Sequence, residues 1–453
     1  MGTAWLRGQP RTARQLVELV ERAITEGALR PGDRLPPVRE LAEDADLAAN
    51  TVAAAYRTLN GRGIVVGRGR AGTFVAARPP LATDGGRAAG ATSRLPADAR
   101  DLSSGSPDPA LLCPLRPALE RIDTEAVLYG ADAVEPALQP WARRWAMPPG
   151  LADADTVRCA VVGGALDGVE RVLLSHCRPG DRIAVEDPAY AAVLDLVAAL
   201  GLVALPVAVD ADGPLPQALE AALRDGAVAV VVTPRAQNPT GAVLGEARGA
   251  ALRAVLAGHP DVLIVEDDHA GPVAGAPRRT LVTADRARWA SIASVAKSLG
   301  PDLRLAFLAA DPVTLGRVEG RQQLGTGWVS RLLQRVVLAL LEDPGTEARL
   351  AHAARTYAAR RARLCDALAE GGVNAMGRSG MNVWIPVAAE AVVLSELAGR
   401  GWWARAGEPY RMASPPAIRV TVADLDDPAL DRLAADLLAV LAPAPTARAR
   451  RIG

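Results

Sequence analysis

Six short apolar runs, mostly separated by stretches of helical periodicity, restrict this 453-residue chain to few architectures. Residues 183–185, 203–209, 228–232, 262–265, 291–293 and 305–308 read as strands, and strands alternating with helices build a largely parallel sheet. In such α/β sheets, ligand groups gather beyond the carboxyl ends of the strands. Residues following each run are therefore the first candidates for function. Residues 345–445 carry more helical pattern, with strands near Asn382–Pro386 and residues 418–422. They are expected to form a small lobe beside a large lobe of about residues 130–340.

Half of the residues are hydrophobic, enough to bury a sizeable core. Lys+Arg and Asp+Glu both number 51, so zero net charge gives no general attraction to nucleic acid; any DNA contact must come from locally placed arginines. No apolar run reaches the roughly 18 residues of a membrane helix, and the start MGTAWLRGQPRTAR lacks the apolar stretch of a secretion signal. Cys113, Cys159, Cys177 and Cys365 form no CxxC pair, which argues against a zinc site or a disulfide framework. A cytoplasmic protein without a metal or a membrane partner is expected.

The first 77 residues have a different pattern. Leu16, Leu19, Val20, Ala23 and Ile24 fall at helical spacing before a turn at Gly27 and Pro31-Gly32; a second short pattern follows at Val38, Leu41 and Ala42. Asn50 stands where a helix could be capped, ahead of a stripe at Val52, Ala55, Tyr56 and Leu59 that stops at Gly61 and Gly63. Residues 64–66 and 73–75 then flank the basic, glycine-rich tip GRGRAG as a hairpin. Three helices and a hairpin match the plan of a winged helix-turn-helix, and a small protein-interaction module is the alternative. Residues 78–100, rich in proline, glycine and alanine, read as a linker spanning about 25 Å.

One residue type is nearly absent. Lys297 is the only lysine, all other members of the basic total being arginine. A guanidinium stays protonated, whereas a lysine can lose its proton and condense with a carbonyl. Chance survival of a surface lysine is the alternative, and its surroundings bear on the choice. Gly163-Gly164 opens a helical run whose amides suit a phosphate. Asn238 follows one strand, Asp267 ends another, and Arg304 lies seven residues after Lys297. Together they supply an amine, a carboxylate, a hydrogen-bond donor and a guanidinium, the groups that a pyridoxal phosphate ring requires. Taken singly, Asp267 could be a metal ligand or a solvated strand end, and Tyr190 ordinary core.

The segments PGDRLPPVRELA, NTVAAAYRTL and GRAGTFV resemble the DNA-binding domain of GntR-type regulators. That resemblance implies that Arg39, Asn50, Thr51, Tyr56, Arg57, Arg68 and Arg70 lie near double-stranded DNA. Ala48 and Ala49, where the family usually has basic or hydroxyl residues, leave few side chains to read bases. AVEDPAY, PRAQNPTG, IVEDDHAG and SVAKSLGPDLRLAFL resemble fold-type I aminotransferases, over about residues 101–445. By that resemblance Lys297 forms the Schiff base with pyridoxal phosphate, Asp267 pairs with the pyridine nitrogen, Asn238 donates to the ring oxygen and Tyr190 stacks on the ring. Ser294 and Arg304 hold the phosphate with the amides of Gly164, Ala165 and Leu166, and Tyr129 reaches the phosphate of a neighbouring subunit. Arg419 takes a substrate or effector carboxylate. His269 stands where a tyrosine usually binds the ring oxygen; it can donate a hydrogen bond and adds a group that titrates near pH 7. The fusion resembles the MocR subgroup of GntR regulators, which implies a homodimer that senses pyridoxal phosphate or an amino compound and binds DNA. A catalytically active aminotransferase with an accessory DNA-binding domain is the other reading.

Overall fold

The computed structural model describes residues 10–25, 28–30, 32–61, 64–67, 72–76, 99–151 and 157–442. Helices Ala13–Thr25, Val38–Asp44 and Ala49–Gly61 precede an antiparallel hairpin of β1 (Val65–Gly67) and β2 (Thr73–Val75), in which Val65 faces Val75. The apolar stripes converge: Leu16, Val20, Leu41, Val52, Leu59, Val65 and Val75 are buried in one cluster. Backbone bonds from Leu35 to Thr73 and from Val75 to Asp33 extend the hairpin. This is a winged helix with its own core.

Two expectations here need correction. The third helix begins at Ala49, and the Ala48 carbonyl accepts from Thr51 and Val52; Asn50 therefore lies exposed inside the first turn and is not the cap. Tyr56 is 7% exposed, and its hydroxyl donates to the Pro36 carbonyl at 2.8 Å. It braces the second helix against the third and is not free for DNA. Arg39, Asn50 and Arg57 are exposed and Thr51 is half-buried. Gly27, Pro31, Gly63, Arg68 and Arg70 lie outside the described residues.

The large lobe is built on an eight-stranded sheet. In chain order the strands are β4 (Ala160–Val162), β5 (Arg182–Asp187), β6 (Val203–Asp210), β7 (Gly213–Pro214), β8 (Ala227–Val232), β9 (Leu263–Asp268), β10 (Trp289–Ser294) and β11 (Ala306–Ala310). In space the order is β4-β11-β10-β9-β8-β5-β6-β7, with five adjacent parallel strands at its centre. β11 runs antiparallel to both neighbours because it follows β10 through a short loop, with no crossover helix. That loop carries Lys297 and Arg304. Both faces of the sheet are packed, which explains why the central strands are apolar throughout and do not alternate.

The small lobe combines the helix Thr346–Glu370 with β12 (Asn382–Pro386), the helix Glu390–Gly399, β13 (Trp402–Trp403), β14 (Arg405–Ala406), β15 (Ala417–Thr421) and the helix Asp427–Leu441. The short strand β3 (Arg100–Asp101) pairs with β13. Arg100, the last residue of the expected linker, is thus already part of this lobe. No helix among the described residues is long and apolar enough to cross a membrane, and none of them form a cluster of metal-ligating side chains. The four cysteines are free.

Candidate functional site

A cleft of about 240 Å³ opens where the central strands end, and its walls come from both lobes. Ala165, Leu166, Tyr190, Asn238, Asp267, His269, Ser294, Lys297, Arg304 and Arg419 all line it. Residues separated by 254 positions in the chain thus meet because the parallel strands present their carboxyl ends together and β15 closes over them.

Lys297 is partly buried, and its Nζ donates to the Gly105 carbonyl. Burial, helped by the positive charge of Arg419, lowers its pKa from 10.5 to about 8. At pH 7 about one amine in ten is then unprotonated, against roughly one in three thousand for an ordinary lysine.

Asp267 is 6% exposed, and its Oδ1 has no hydrogen-bond partner. Burial, with the charge of Asp268 adding to it, pushes the carboxyl up to about 7. A buried carboxylate oxygen without a donor is costly, so the arrangement is complete only when a cationic or N–H group sits against it. Its neighbours face the other way. Asp268 forms a two-pronged pair with Arg235, at 3.0 and 2.7 Å, while Glu266 accepts from Thr280 and Leu281. Strand alternation therefore divides the acidic run EDD: two members are structural and one is turned to the cleft.

The helix Ala165–His176 starts at Gly164, whose φ of +118° favours glycine. A Cβ there would stand 3.0 Å from Arg304 Nη2, so the bare backbone lets the guanidinium lie against the helix start. Arg304 itself adopts φ +43°, is exposed, and lies beside the Gly163 carbonyl at 3.5 Å. Ser294 is buried, with its Oγ accepting from Ala296 at 3.2 Å. Donors and positive charge are thus gathered at one end of the cleft.

Arg419 is 3% exposed and reaches in from the small lobe. One Nη donates to Asn238 Oδ1 at 3.2 Å, the other to the Ser103 carbonyl, and Nε has no partner. Its guanidinium lies 5.2 Å from the Tyr410 ring centre. With Asn238 Oδ1 so engaged, the Asn238 amide NH₂ remains available as a donor.

His269 Nε2 lies 2.8 Å from the Ala236 carbonyl, which can only accept. The proton therefore sits on Nε2. Burial lowers the imidazole pKa, and the positive charge of Lys297 adds to this, so the ring is neutral at pH 7 with an acceptor lone pair on Nδ1. The hydrogen bond that His269 was expected to donate in the cleft is not available, because its one N–H is already bonded to the backbone.

Tyr129 does not join the cleft. It is 92% exposed, edge-on to Trp328 at 5.8 Å. Sequence reasoning also missed several wall residues: Ser104 and Gly105 from the segment after β3, Ala236 and Gln237 before Asn238, and residues 379–382 of the small lobe. The glycine within PRAQNPTG gave one signal. A Cβ on Gly241 would stand 3.0 Å from both the Gly377 Cα and the Ser379 carbonyl, so backbone meets backbone between the lobes.

Comparison with known proteins agrees with both halves of the chain. Residues 129–437 match the family model "Aminotransferase class I and II", and residues 12–75 match "Bacterial regulatory proteins, gntR family". The vitamin B6 salvage pathway transcriptional repressor PtsJ of Salmonella typhimurium is 39% identical over 94% of this chain and 98% of its own length. The chain belongs to the MocR-type regulators of the GntR family. This MocR-type regulator is also 31% identical to the regulator TauR of Rhodobacter capsulatus, over 82% of this chain and 83% of TauR. It is 30% identical to the probable rhizopine catabolism regulatory protein MocR of Rhizobium meliloti, over 77% of this chain and 75% of that one. Among solved structures, LysN, an α-aminoadipate aminotransferase of Thermus thermophilus, superposes with a TM-score of 0.66 at 22% identity, over 76% of this chain and 92% of LysN. The regulator therefore carries a GntR helix-turn-helix, a DNA-binding unit, fused to an α/β domain of a type that typically binds pyridoxal phosphate.

Proposed function

We propose that this regulator binds pyridoxal phosphate at Lys297 and uses that occupancy, or an amino compound that competes for it, to set how it binds DNA. The observation that carries the reading is the orphaned, buried Asp267 oxygen in the same cleft as the sole lysine. A carboxyl pushed up to about 7 by burial and by the charge of Asp268, with one oxygen unpartnered, fits a pyridine nitrogen, which would restore its charge. When bound, pyridoxal phosphate supplies an aldehyde for the amine and a conjugated ring that draws off electrons.

The chain's own residues do the rest. Lys297 contributes a nucleophile already part-way to the free amine. Arg304, Ser294 and the amides of Gly164, Ala165 and Leu166 hold the phosphate, Asn238 donates to the ring oxygen, and Tyr190, 39% exposed at the start of its helix, covers the ring face. Arg419, desolvated and with a free Nε, takes the carboxylate of an amino compound. With Arg100 counted in the small lobe, the division of labour we propose is that residues 1–77 bind DNA, 78–99 connect, and 100–445 sense.

The likeness to PtsJ, a vitamin B6 salvage repressor by name, supports pyridoxal phosphate itself as the signal. His269 supports a sensor over a catalyst, since its only donor is engaged elsewhere. The test is the absorbance spectrum of purified protein with added pyridoxal phosphate, beside Lys297→Ala. A yellow band in the parent and its loss in the variant are expected; no band in either refutes the reading. Mixing the loaded protein with an amino acid and a keto acid should give no sustained turnover, and steady turnover would favour the enzyme.

A further inference from the structure

The segment Ser103–Gly105 lies in the cleft as if it were a ligand. Arg419 donates to the Ser103 carbonyl and Lys297 donates to the Gly105 carbonyl, so two backbone oxygens occupy the two cations assigned to cofactor and effector. The fit is close. Gly105 is buried with φ +66°, and a Cβ on it would stand 3.3 Å from Arg419 Nη2.

The same segment leads out of the domain. Leu102 is fully buried and stitched to the small lobe, donating to Trp403 and accepting from Thr421, while Arg100 donates to Gly401 and through its side chain to the Asp424 carbonyl. Upstream of residue 99 the chain continues towards the hairpin of the winged helix. Ser103–Gly105 thus bridges the small lobe, which holds the chain's entry, and the large lobe, which holds Lys297.

We propose that Ser103–Gly105 is a built-in competitor for the effector subsite, and that its displacement is the event that reports ligand binding to the DNA-binding half. This rests on the reading of Lys297 and Arg419 given above. Two separate steps release it. Condensation of the Lys297 amine with an aldehyde forms a C=N bond and expels the aldehyde oxygen as water. The ammonium first gives one proton to solvent, so a nitrogen that carried three hydrogens keeps at most one, and Gly105 loses its donor. A carboxylate arriving at Arg419 makes a two-pronged, charge-assisted contact that a neutral carbonyl cannot match, and Ser103 loses its donor. A ligand shifts such an equilibrium only through its differential affinity for the two arrangements. Here the difference is explicit: the ligand and the segment cannot use the same hydrogens. The effector class that follows is a primary amine bearing a carboxylate, able to address both cations at once.

Hydrogen exchange read by mass spectrometry on the full-length protein tests this. The peptides covering residues 99–108 would be followed in the parent with and without pyridoxal phosphate, and in Gly105→Ala and Arg419→Gln without ligand. Gly105→Ala pushes the segment off the guanidinium, and Arg419→Gln removes the guanidinium itself. Both should speed exchange in these peptides about tenfold. In both, affinity for a duplex selected by the ligand-free parent from a random pool should shift in the direction that pyridoxal phosphate produces in the parent. The change Val392→Ala, at an exposed position on the helix Glu390–Gly399 and away from the cleft, should do neither. Unchanged exchange and DNA affinity in both variants, while the parent still develops its yellow band, overturns the competitor and leaves the cofactor reading intact. Absence of the band overturns the cofactor reading first. If a variant fails to fold, as judged by loss of protection in the sheet strands, the parent's exchange at residues 99–108 with and without pyridoxal phosphate decides alone.

Discussion

At the scale of single residues, the proposed sensing rests on an amine whose pKa burial lowers. Because the Lys297 pKa is lowered to about 8, the reactive free-base fraction rises with pH until that value is passed. The rate of pyridoxal phosphate capture should therefore climb about tenfold from pH 6 to 7, climb less from 7 to 8, and level off above 9. Stopped-flow absorbance checks this; a rate still rising about tenfold between pH 8 and pH 9 would mean an ordinary lysine. That Lys297, Asp267, Asn238 and Arg304 would meet in one cleft was legible in the sequence, because each occupies a position fixed by the end of a strand. What was not legible were backbone contacts. The carbonyls of Ser103, Gly105 and Ala236 accept from Arg419, Lys297 and His269. A carbonyl is common to every residue, so composition and spacing carry no trace of which one will be spoken for. The expectation that His269 would donate into the cleft failed for that reason.

At the scale of elements, the helix Ala49–Gly61 shows how one stripe can mix two expected roles. Tyr56 was read both as part of the apolar face and as a DNA contact, and only its position beside Pro36 separates these. Tyr56→Phe should cost about 0.5–1.5 kcal/mol of winged-helix stability through the lost hydrogen bond, and leave the salt dependence of DNA binding unchanged. Arg57→Ala, at an exposed position on the same helix, should do the reverse: unchanged stability, and a salt slope reduced by about one. Thermal unfolding and titrations at several salt concentrations distinguish the two. The six expected large-lobe strands fall within a residue or two of those observed, since buried β-runs are apolar on both faces, except that β9 runs three residues further through the acidic Glu266–Asp268; the short strands β4 and β7 were not read. β11 was placed but not its direction, because antiparallel pairing follows from the shortness of the Lys297 loop rather than from any pattern within the strand.

At the scale of the whole molecule, the exposed tip of Leu128 and Tyr129 is the largest discrepancy between one chain and a finished site. A tyrosine 92% exposed, with its ring edge-on to Trp328, has no place in its own subunit's cleft. The expected homodimer would give it one, against the partner's phosphate site. Tyr129→Phe should then weaken pyridoxal phosphate binding severalfold without changing the spectrum of the bound form, and dilution of the parent to monomers should weaken it similarly. Equilibrium dialysis beside sedimentation measures both, and affinity independent of concentration and of Tyr129 would show that each chain completes its own site. Assembly of this kind leaves little mark on a single sequence, since a residue waiting for a second copy looks like any other surface residue. Gly241 bears on how the lobes can move. Where it abuts Gly377 and Ser379, main chain rests on main chain with no side chain to compress. Such a contact fixes the spacing of the lobes at main-chain distance: any side chain at position 241 would have to push them apart, and with them the strand that brings Arg419 to the cleft.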